Sequence, residues 1–224
     1  MPGKLYIVGL PIGNLEDITL RAIRVLSQVD VIYAEDTRHA RILLNRYHIV
    51  TRTFSCFAGN ERMREREVLQ KLAAGNDIAY VSESGTPGIS DPGSRLVDAA
   101  VREGFDVVPV PGPSSVTSAL SISGAGCDRF AFVGFLPRSK ARARRLLGAF
   151  VNSVGCVVIF ESPFRVLTTL GLLEDEFGDK PAIILKELTK LHEEHFRGRI
   201  SELRSRLAES RIRGEFVIIL KTSA

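Results

Sequence analysis

The chain contains no tryptophan, two methionines and only three cysteines among its 224 residues. The cysteines, Cys56, Cys127 and Cys156, are odd in number, far apart and outside any Cys-x-x-Cys pair. That pattern predicts neither a disulfide framework nor a zinc knuckle, and we interpret the cysteines as reduced, structural residues. Long hydrophobic runs are also missing, because no stretch approaches the roughly 18 apolar residues that a membrane span requires.

Several common catalytic motifs are absent as well. The sequence has neither a Gly-x-Gly-x-x-Gly dinucleotide fingerprint nor a Gly-x-x-x-x-Gly-Lys-Ser/Thr phosphate loop. The motifs that usually indicate binding of NAD or ATP are therefore absent. It has no Gly-x-Ser-x-Gly nucleophile elbow. His192 and His195 lack the spacing of a helical zinc motif and are expected in an exposed helix or loop, so we predict no metal.

The composition is that of an ordinary globular protein, with 45% hydrophobic and 25% charged residues. The start of the chain, Met1 to Lys4, lacks the apolar core and cleavage site of a secretory signal, which predicts a cytoplasmic location without a membrane anchor. A net charge of +4 and a pI near 9.1 are mild indications of an anionic partner.

Alternating apolar segments predict an α/β protein in two parts. Strand and helix patterns alternate in the first part, whereas the second part is richer in strands after the hinge-like Gly124-Ala125-Gly126. We therefore predict an N-terminal α/β domain over 1–120 and a C-terminal α/β domain over 121–224.

Three glycine and proline loops each begin where an apolar strand ends. They are Gly9 to Leu15, Ser84 to Gly88 and Pro111 to Ser115. Ligands of open α/β sheets lie outside the carboxyl ends of the strands, so the three loops are expected to build one pocket.

The segment Ala34 to Arg38 places two carboxylates, a hydroxyl and a guanidinium after another predicted strand. One interpretation is a solvated turn in which aspartate caps a helix. The other, which the neighbouring loops favour, is that Asp36 and Arg38 meet a polar substrate.

A cluster of cations without any acid follows Phe135-Leu136-Pro137. A solvated helix face and a binding surface for a phosphate backbone both explain such a cluster. Its members are Arg138, Lys140, Arg142, Arg144 and Arg145.

In their order along the chain, these loops resemble the tetrapyrrole methylase superfamily of S-adenosylmethionine-dependent methyltransferases. More narrowly, they resemble its bacterial branch that 2′-O-methylates a cytidine of ribosomal RNA. The resemblance spans nearly the whole chain and is carried by Pro11–Leu15, Ala34–Arg38, Ser84–Pro87, Asp91–Gly93, Pro111–Pro113, Asp128–Phe130, Gly134–Pro137, Glu161-Ser162, Glu187–Lys190 and Gly214-Glu215.

The resemblance implies a two-domain α/β enzyme of the class III methyltransferase fold, with S-adenosyl-L-methionine folded in the interdomain cleft. It further implies a homodimer that acts on the 16S ribosomal RNA of the small subunit. The positions that would line the cofactor are Leu10, Pro11, Gly13, Gly85, Thr86, Ile89, Ser114, Ser115, Val116, Phe160, Glu187, Leu188 and Gly214.

Methyl transfer to a ribose hydroxyl requires alignment of that hydroxyl and removal of one proton. The candidates for these tasks are Asp36, Glu61, Asp91 and Lys186, with Asp36 ranked first because of its loop and its neighbour Arg38. By the resemblance, Asp36 and Arg38 would face the RNA.

The chain departs from the family pattern at two positions. Phe57 and Phe164 stand where the family commonly has histidine, which affects the substrate side rather than the cofactor side. Relatives also tend to carry a further C-terminal segment, so either the chain is truncated or this member lacks that part of the RNA-binding surface.

Two alternative functions remain: methylation of a precorrin-type tetrapyrrole, and RNA binding without catalysis.

Overall fold

The computed structural model describes residues 1–126, 128–209 and 212–222. The chain divides into two compact units, Met1–Ser114 and Ser115–Ala224. The boundary predicted near residue 120 falls inside a helix of the second unit, and the assignment of 1–120 and 121–224 as domains stays a prediction.

The first unit is a parallel sheet between two layers of helices. Its elements are β1 (Leu5–Val8), a short 3₁₀ helix (Leu15–Asp17), α1 (Leu20–Gln28), β2 (Val31–Ala34), α2 (Thr37–Arg46), β3 (Thr53–Ser55), α3 (Glu61–Ala73), β4 (Ile78–Val81), α4 (Ser94–Arg102) and β5 (Val107–Val110). The strand order is β3-β2-β4-β1-β5.

The central strands of this sheet are apolar throughout because helices cover both faces. Ile32 and Ala34 of β2 pack with α1 and α2, whereas Val31 and Tyr33 pack on the opposite face with α3 and α4. Every strand pair in the sheet is parallel, so the carboxyl ends of the strands lie along one edge.

The second unit contains a mixed five-stranded sheet. Its elements are α5 (Ser115–Ser123), β6 (Phe130–Phe135), α6 (Lys140–Gly148), β7 (Cys156–Glu161), α7 (Val166–Phe177), β8 (Pro181–Lys186), β9 (Glu194–Arg199), α8 (Ile200–Ala208) and β10 (Phe216–Lys221). The order is β6-β7-β10-β8-β9, in which only β6 and β7 pair in parallel. One apolar core lies between this sheet and α6, α7 and α8.

The sequence prediction was wrong for Glu194 and His195. Both were expected in an exposed helix or loop, but they begin β9 and pair with Lys186 and Leu185 of β8. Because β9 is an edge strand with mostly exposed polar side chains, it lacks the apolar run that marks the other strands.

The three cysteines differ in state. Cys56 is a buried free thiol, as expected. Cys156 is disulfide-bonded, which corrects the expectation of a reduced residue, and Cys127 lies outside the described residues.

The helices of the described residues are short. The longest of them, α3, has 13 residues. None of the helices in this part of the chain has the length and apolarity needed to cross a bilayer.

Candidate functional site

Three loops at the carboxyl edge of the first sheet are joined by backbone hydrogen bonds. Leu10 and Gly85 exchange two of them, with N···O distances of 2.9 and 3.1 Å. The Gly9 amide donates to the Val110 carbonyl at 3.0 Å. The loops after β1 and β4 and the end of β5 are therefore linked at this edge, and that the loops build one pocket stays a prediction.

Two of these loops touch through glycines. A Cβ atom on Gly112 would lie 2.7 Å from the carbonyl oxygen of Gly9, and one on Gly9 would lie 2.9 Å from the amide nitrogen of Gly112. Real Cβ atoms do not approach backbone so closely, so both positions require glycine for this contact.

The loop after β4 is held in a defined shape. Gly85 has φ of +63°, a conformation that side chains disfavour, and a Cβ there would lie 3.4 Å from Ile12. The Ser82 hydroxyl donates to the Ser84 carbonyl at 3.0 Å, and the Gly88 amide donates to the Pro92 carbonyl at 3.1 Å.

The predicted cofactor residues of this edge present both apolar and polar surface. Leu10, Pro11 and Gly85 are buried, whereas Thr86 and Ile89 are exposed. Gly13 is also exposed, and Ser114 is half-buried. A surface of this kind suits a ligand that combines an apolar ring with polar groups.

Asp36 caps the first turn of α2 and also binds Arg38. Its Oδ1 accepts a hydrogen bond from the Arg38 amide at 2.7 Å, and its Oδ2 accepts one from the Arg38 guanidinium at 2.6 Å. Asp36 is therefore the helix cap that one interpretation of this segment predicted. Its partner Arg38 remains 89% exposed and can still meet a polar substrate, as the other interpretation requires.

The pKa values of Asp36 and its neighbour Glu35 are shifted in opposite directions. Hydrogen bonds from Arg38 hold the pKa of the Asp36 carboxyl far below its ordinary value. Burial raises the pKa of neighbouring Glu35, and the charges of Glu83 and Asp36 add to that effect. Ligand atoms of Asp36, His39 and Glu83 lie within 4.8 Å of one another, which makes this rim a compact polar group.

Glu61 reaches the same edge from the other face of the sheet. It is the first residue of α3, which packs on the face opposite α2. Its Oε1 is buried and, within the described part of the chain, has no hydrogen-bond partner. A buried carboxylate oxygen without a partner is costly, so it marks a place where a ligand or water donor fits.

In the second unit, the ends of β7 and β8 and the start of β10 lie at one edge of the sheet, where the predicted residue Lys186 is found. Phe216 begins β10 and lies opposite both Glu161, at the end of β7, and Lys186, at the end of β8. The ammonium of Lys186 is nearly buried and donates to Glu194 at 3.1 Å.

Glu187 fastens the loop after β8 to the loop before β10. Its Oε1 accepts from the Lys190 ammonium at 3.0 Å and from the Glu215 amide at 2.9 Å. Burial disfavours the charged form, but these hydrogen bonds outweigh it and lower the pKa of Glu187. A Cβ on Gly214 would lie 2.4 Å from Cδ of Glu187, so glycine is required there.

The remaining predicted cofactor residues of this unit are apolar or begin α5. Leu188 is buried beside Glu187, and the ring of Phe160 lies 4.7 Å from Phe132 and 5.9 Å from Phe135. Ser115 and Val116 form the first turn of α5.

The cationic cluster lies on and just before α6, and its members lie mainly at the surface. Arg144 forms an ion pair with Glu176 of α7. Among the described residues, no ion pair involves Arg138, Lys140, Arg142 or Arg145. The sequence run held no acid, but the tertiary structure supplies one to Arg144.

A buried network that sequence reasoning gave no role lies at the end of β7. The Glu161 carboxylate is buried and accepts from the Thr169 hydroxyl at 2.6 Å and from the Ser162 amide at 2.8 Å. Arg165 lies 3.4 Å from it and donates to the Leu136 carbonyl at 2.8 Å. The motif Glu161-Ser162 was the signal that could have revealed it.

Comparison with known proteins identifies the family. The family model for tetrapyrrole (corrin/porphyrin) methylases matches residues 4–204. Ribosomal RNA small subunit methyltransferase I of Thermotoga maritima is 48% identical over 218 residues, which cover 97% of this chain and 98% of the relative. The protein of the same name from Halalkalibacterium halodurans is 41% identical over 219 residues, which cover 98% of this chain and 76% of the relative.

A solved structure supports the same assignment at the level of the fold. Uroporphyrin-III C-methyl transferase from Thermus thermophilus, complexed with S-adenosyl homocysteine, matches with a TM-score of 0.68 and 22% identity over 97% of each chain. The chain therefore belongs to the tetrapyrrole methylases and, within them, to the family of the ribosomal RNA small subunit methyltransferase I proteins.

Proposed function

We propose that this chain is an S-adenosylmethionine-dependent methyltransferase that methylates the ribose 2′-hydroxyl of a cytidine in 16S ribosomal RNA. The observation that carries the proposal is the 48% identity to a ribosomal RNA small subunit methyltransferase over almost the full length of both chains. The fold is shared by methyltransferases with other acceptors, so the fold alone does not choose the acceptor.

The glycine-lined edge of the first sheet fits S-adenosylmethionine. Contact between Gly9 and Gly112 brings two loops together with no intervening side chain, and Leu10 and Gly85 join a third. We propose that this edge binds the cofactor through Leu10, Pro11, Gly13, Gly85, Thr86, Ile89 and Ser114.

The second unit adds its own candidate cofactor residues. Glu187 and Gly214 fix the loop geometry around the end of β8, and Leu188 provides a buried apolar surface. We propose that the cofactor also contacts Ser115, Val116, Phe160, Glu187, Leu188 and Gly214.

S-adenosylmethionine, when bound, supplies a methyl group on a sulfonium for in-line displacement. We propose that Asp36 accepts a hydrogen bond from the ribose hydroxyl and orients it. Since its pKa is held low by Arg38, Asp36 is a weak proton acceptor and acts mainly by alignment.

Arg38, Glu61 and Lys186 have distinct supporting roles in this proposal. Arg38 holds the Asp36 carboxylate and presents an exposed guanidinium toward phosphate. Oε1 of Glu61, which has no hydrogen-bond partner among the described residues, accepts a hydrogen bond from the bound substrate or from a water in this proposal. Lys186, whose ammonium is paired with Glu194, is proposed as an orienting residue from the second unit.

The exposed cations of α6 are proposed to contact the RNA backbone. Arg138, Lys140, Arg142 and Arg145 are the stronger candidates, because Glu176 already neutralises Arg144. Phosphate contacts of this type give affinity that falls with salt.

A homodimer is also part of the proposal. Sedimentation of the purified chain at micromolar concentration should give the mass of two copies. A single 24.6 kDa species that nonetheless transfers methyl groups would contradict the dimer and leave the activity intact.

The test is incubation of the purified protein with methyl-labelled S-adenosylmethionine and small ribosomal subunits that lack the modification. Nuclease digestion should release labelled 2′-O-methylcytidine. Label on uroporphyrinogen or a precorrin, and none on RNA, would assign the tetrapyrrole alternative. RNA binding without any methyl transfer would instead support the alternative of an RNA-binding protein without catalysis.

A further inference from the structure

An aromatic ring stands beside the Asp36 loop without a role in the proposed chemistry. Phe57 follows β3, and the Cys56 amide donates to the Ala34 carbonyl at 2.7 Å. Since β2 and β3 are parallel neighbours, Phe57 and Asp36 leave adjacent strands at the same edge of the sheet. The Phe57 side chain is 46% exposed.

The turn that carries Phe57 is held by several hydrogen bonds. The Asn60 side chain accepts from the Phe57 amide at 2.8 Å and donates to the Ser55 carbonyl at 3.2 Å, and the Asn60 amide donates to the Phe57 carbonyl at 3.0 Å. The Arg64 guanidinium donates to the same Ser55 carbonyl at 2.9 Å. These hydrogen bonds hold the backbone of the turn in place before a ligand arrives, which lowers the ordering cost of binding.

Glycine allows the ring to lie against this turn. A Cβ on Gly59 would lie 2.5 Å from Cε2 of Phe57, so one side of the ring rests directly on the glycine. The other part of the ring is left to solvent. An exposed aromatic side chain forfeits part of its hydrophobic stabilisation, and the missing side chain at Gly59 leaves room for the ring in this position.

One exposed cation follows this turn directly along the chain. Arg62, in the first turn of α3, is exposed, and Met63 beside it is 63% exposed. Single-stranded nucleic acids are bound by this combination of an aromatic face for a base and cations for the flanking phosphates.

We propose that Phe57 is a stacking platform for a nucleobase of the RNA acceptor, at the target cytidine or its neighbour. The proposal rests on the proposed function in that RNA is taken as the acceptor. Stacking at Phe57 would hold the nucleotide while Asp36 orients its ribose hydroxyl. Phe57 is a binding residue here and takes no part in proton transfer.

The experiment compares Phe57→Leu, which keeps apolar volume but loses the ring, with Phe57→Tyr, which keeps the ring. Steady-state methylation of unmodified small subunits should show KM for the subunit raised about 5- to 20-fold in Phe57→Leu, with kcat within about twofold of the parent. Phe57→Tyr should stay within about twofold in both. Val101→Ala, an exposed apolar truncation at the far end of α4, should change neither.

A second readout does not depend on methyl transfer. The probe is a single-stranded oligoribonucleotide with 2-aminopurine next to a cytidine, whose fluorescence is quenched by stacking. Wild-type protein and Phe57→Tyr should quench it, whereas Phe57→Leu should bind more weakly and quench less. Thermal unfolding midpoints should agree among the variants because Phe57 is half exposed.

The two proposals fail in different ways. If wild type methylates the subunit but Phe57→Leu has an unchanged KM and unchanged quenching, the platform is wrong and the proposed function stands. If wild type transfers no label to RNA yet quenches the probe in a Phe57-dependent way, the platform stands and the proposed function falls. If Phe57→Tyr and Phe57→Leu lose RNA affinity equally, stacking is overturned, because the exact shape of the phenylalanine side chain and not its aromatic face would then matter.

Discussion

Gly9 and Gly112 meet backbone to backbone, so that a Cβ on Gly112 would fall 2.7 Å from the Gly9 carbonyl oxygen. This contact joins the loops after β1 and β5 at the edge where the cofactor is proposed to bind. A single added methyl group on either glycine is therefore expected to push the two loops apart.

The first prediction is that Gly112→Ala destabilises the protein by about 1–3 kcal/mol, because the added carbon forces the two loops apart. Affinity for S-adenosylhomocysteine should fall at least about tenfold, measured by titration calorimetry. The matched control is Gly148→Ala near the end of α6, where an added Cβ meets nothing within 4 Å. Unaltered affinity in Gly112→Ala would remove this edge from the cofactor site.

The second prediction concerns Asp36. Asparagine caps helices as well as aspartate does, so Asp36→Asn should keep α2 and cofactor affinity intact. It should lower kcat roughly 100-fold, because the carboxylate no longer aligns the hydroxyl with the methyl group. Single-turnover methylation at the wild-type rate would exclude Asp36 from the reaction.

A third prediction follows from the Asp36 and Arg38 pair. Arg38 lowers the folded-state pKa of Asp36 below its unfolded value of about 3.9, so the contact stabilises the fold above that pH and its effect diminishes as pH falls. Thermal unfolding midpoints of wild type and Arg38→Ala should therefore differ by a constant amount above about pH 5, and the difference should shrink steadily as the pH falls below about 4 toward the folded pKa of Asp36. A difference that stays constant from pH 7 to pH 2 would assign Arg38 a role unrelated to Asp36.

The fourth prediction uses Glu187 and Gly214 as a pair. Gly214→Ala should be destabilising because its Cβ would strike the Glu187 side chain, in addition to the strain at φ of +85°. Glu187→Ala removes the atoms that are struck, so the double variant should be less destabilised than the sum of the single variants. Denaturant unfolding of all four proteins measures the coupling, and strict additivity would mean that the two residues do not meet.

The fifth prediction separates the cations near α6. Arg142→Ala with Arg145→Ala should reduce the slope of log affinity for RNA against log salt by about 0.7–0.9 for each phosphate that these arginines neutralise in the wild type. Arg144→Ala should change the slope less, since Glu176 neutralises that charge. An unchanged slope in the double variant would identify this surface as a solvated helix face.

The arrangement of the first unit could be predicted from the chain itself. Apolar runs such as Ile78 to Val81 followed by glycine and proline predict buried strands that end in ligand loops, and both depend on local sequence. For Asp36 the short pattern left two interpretations open, and the structure shows that the helix cap, which the sequence reasoning did not favour, is formed. The family was identified because its motifs recur in order over almost the full length.

Other features required the folded chain because they join residues distant in sequence. Glu176 reaches Arg144 only through the packing of α7 beside α6, and the pairing of Lys186 with Glu194 depends on an edge strand whose polar sequence carried no strand signal. The contact of Gly9 with Gly112 likewise arises from the register of β1 with β5.

The sequence by itself determined the fold class, the family and the position of the loops proposed to bind the cofactor, because hydrophobic period and turn residues act over a few positions. Only the tertiary structure decided that Glu176 neutralises Arg144 and that Oε1 of Glu61 is buried without a partner among the described residues. It also decided that the Phe57 ring lies against Gly59 and is partly exposed. Burial, pKa and exposure are set by neighbours that only folding brings together.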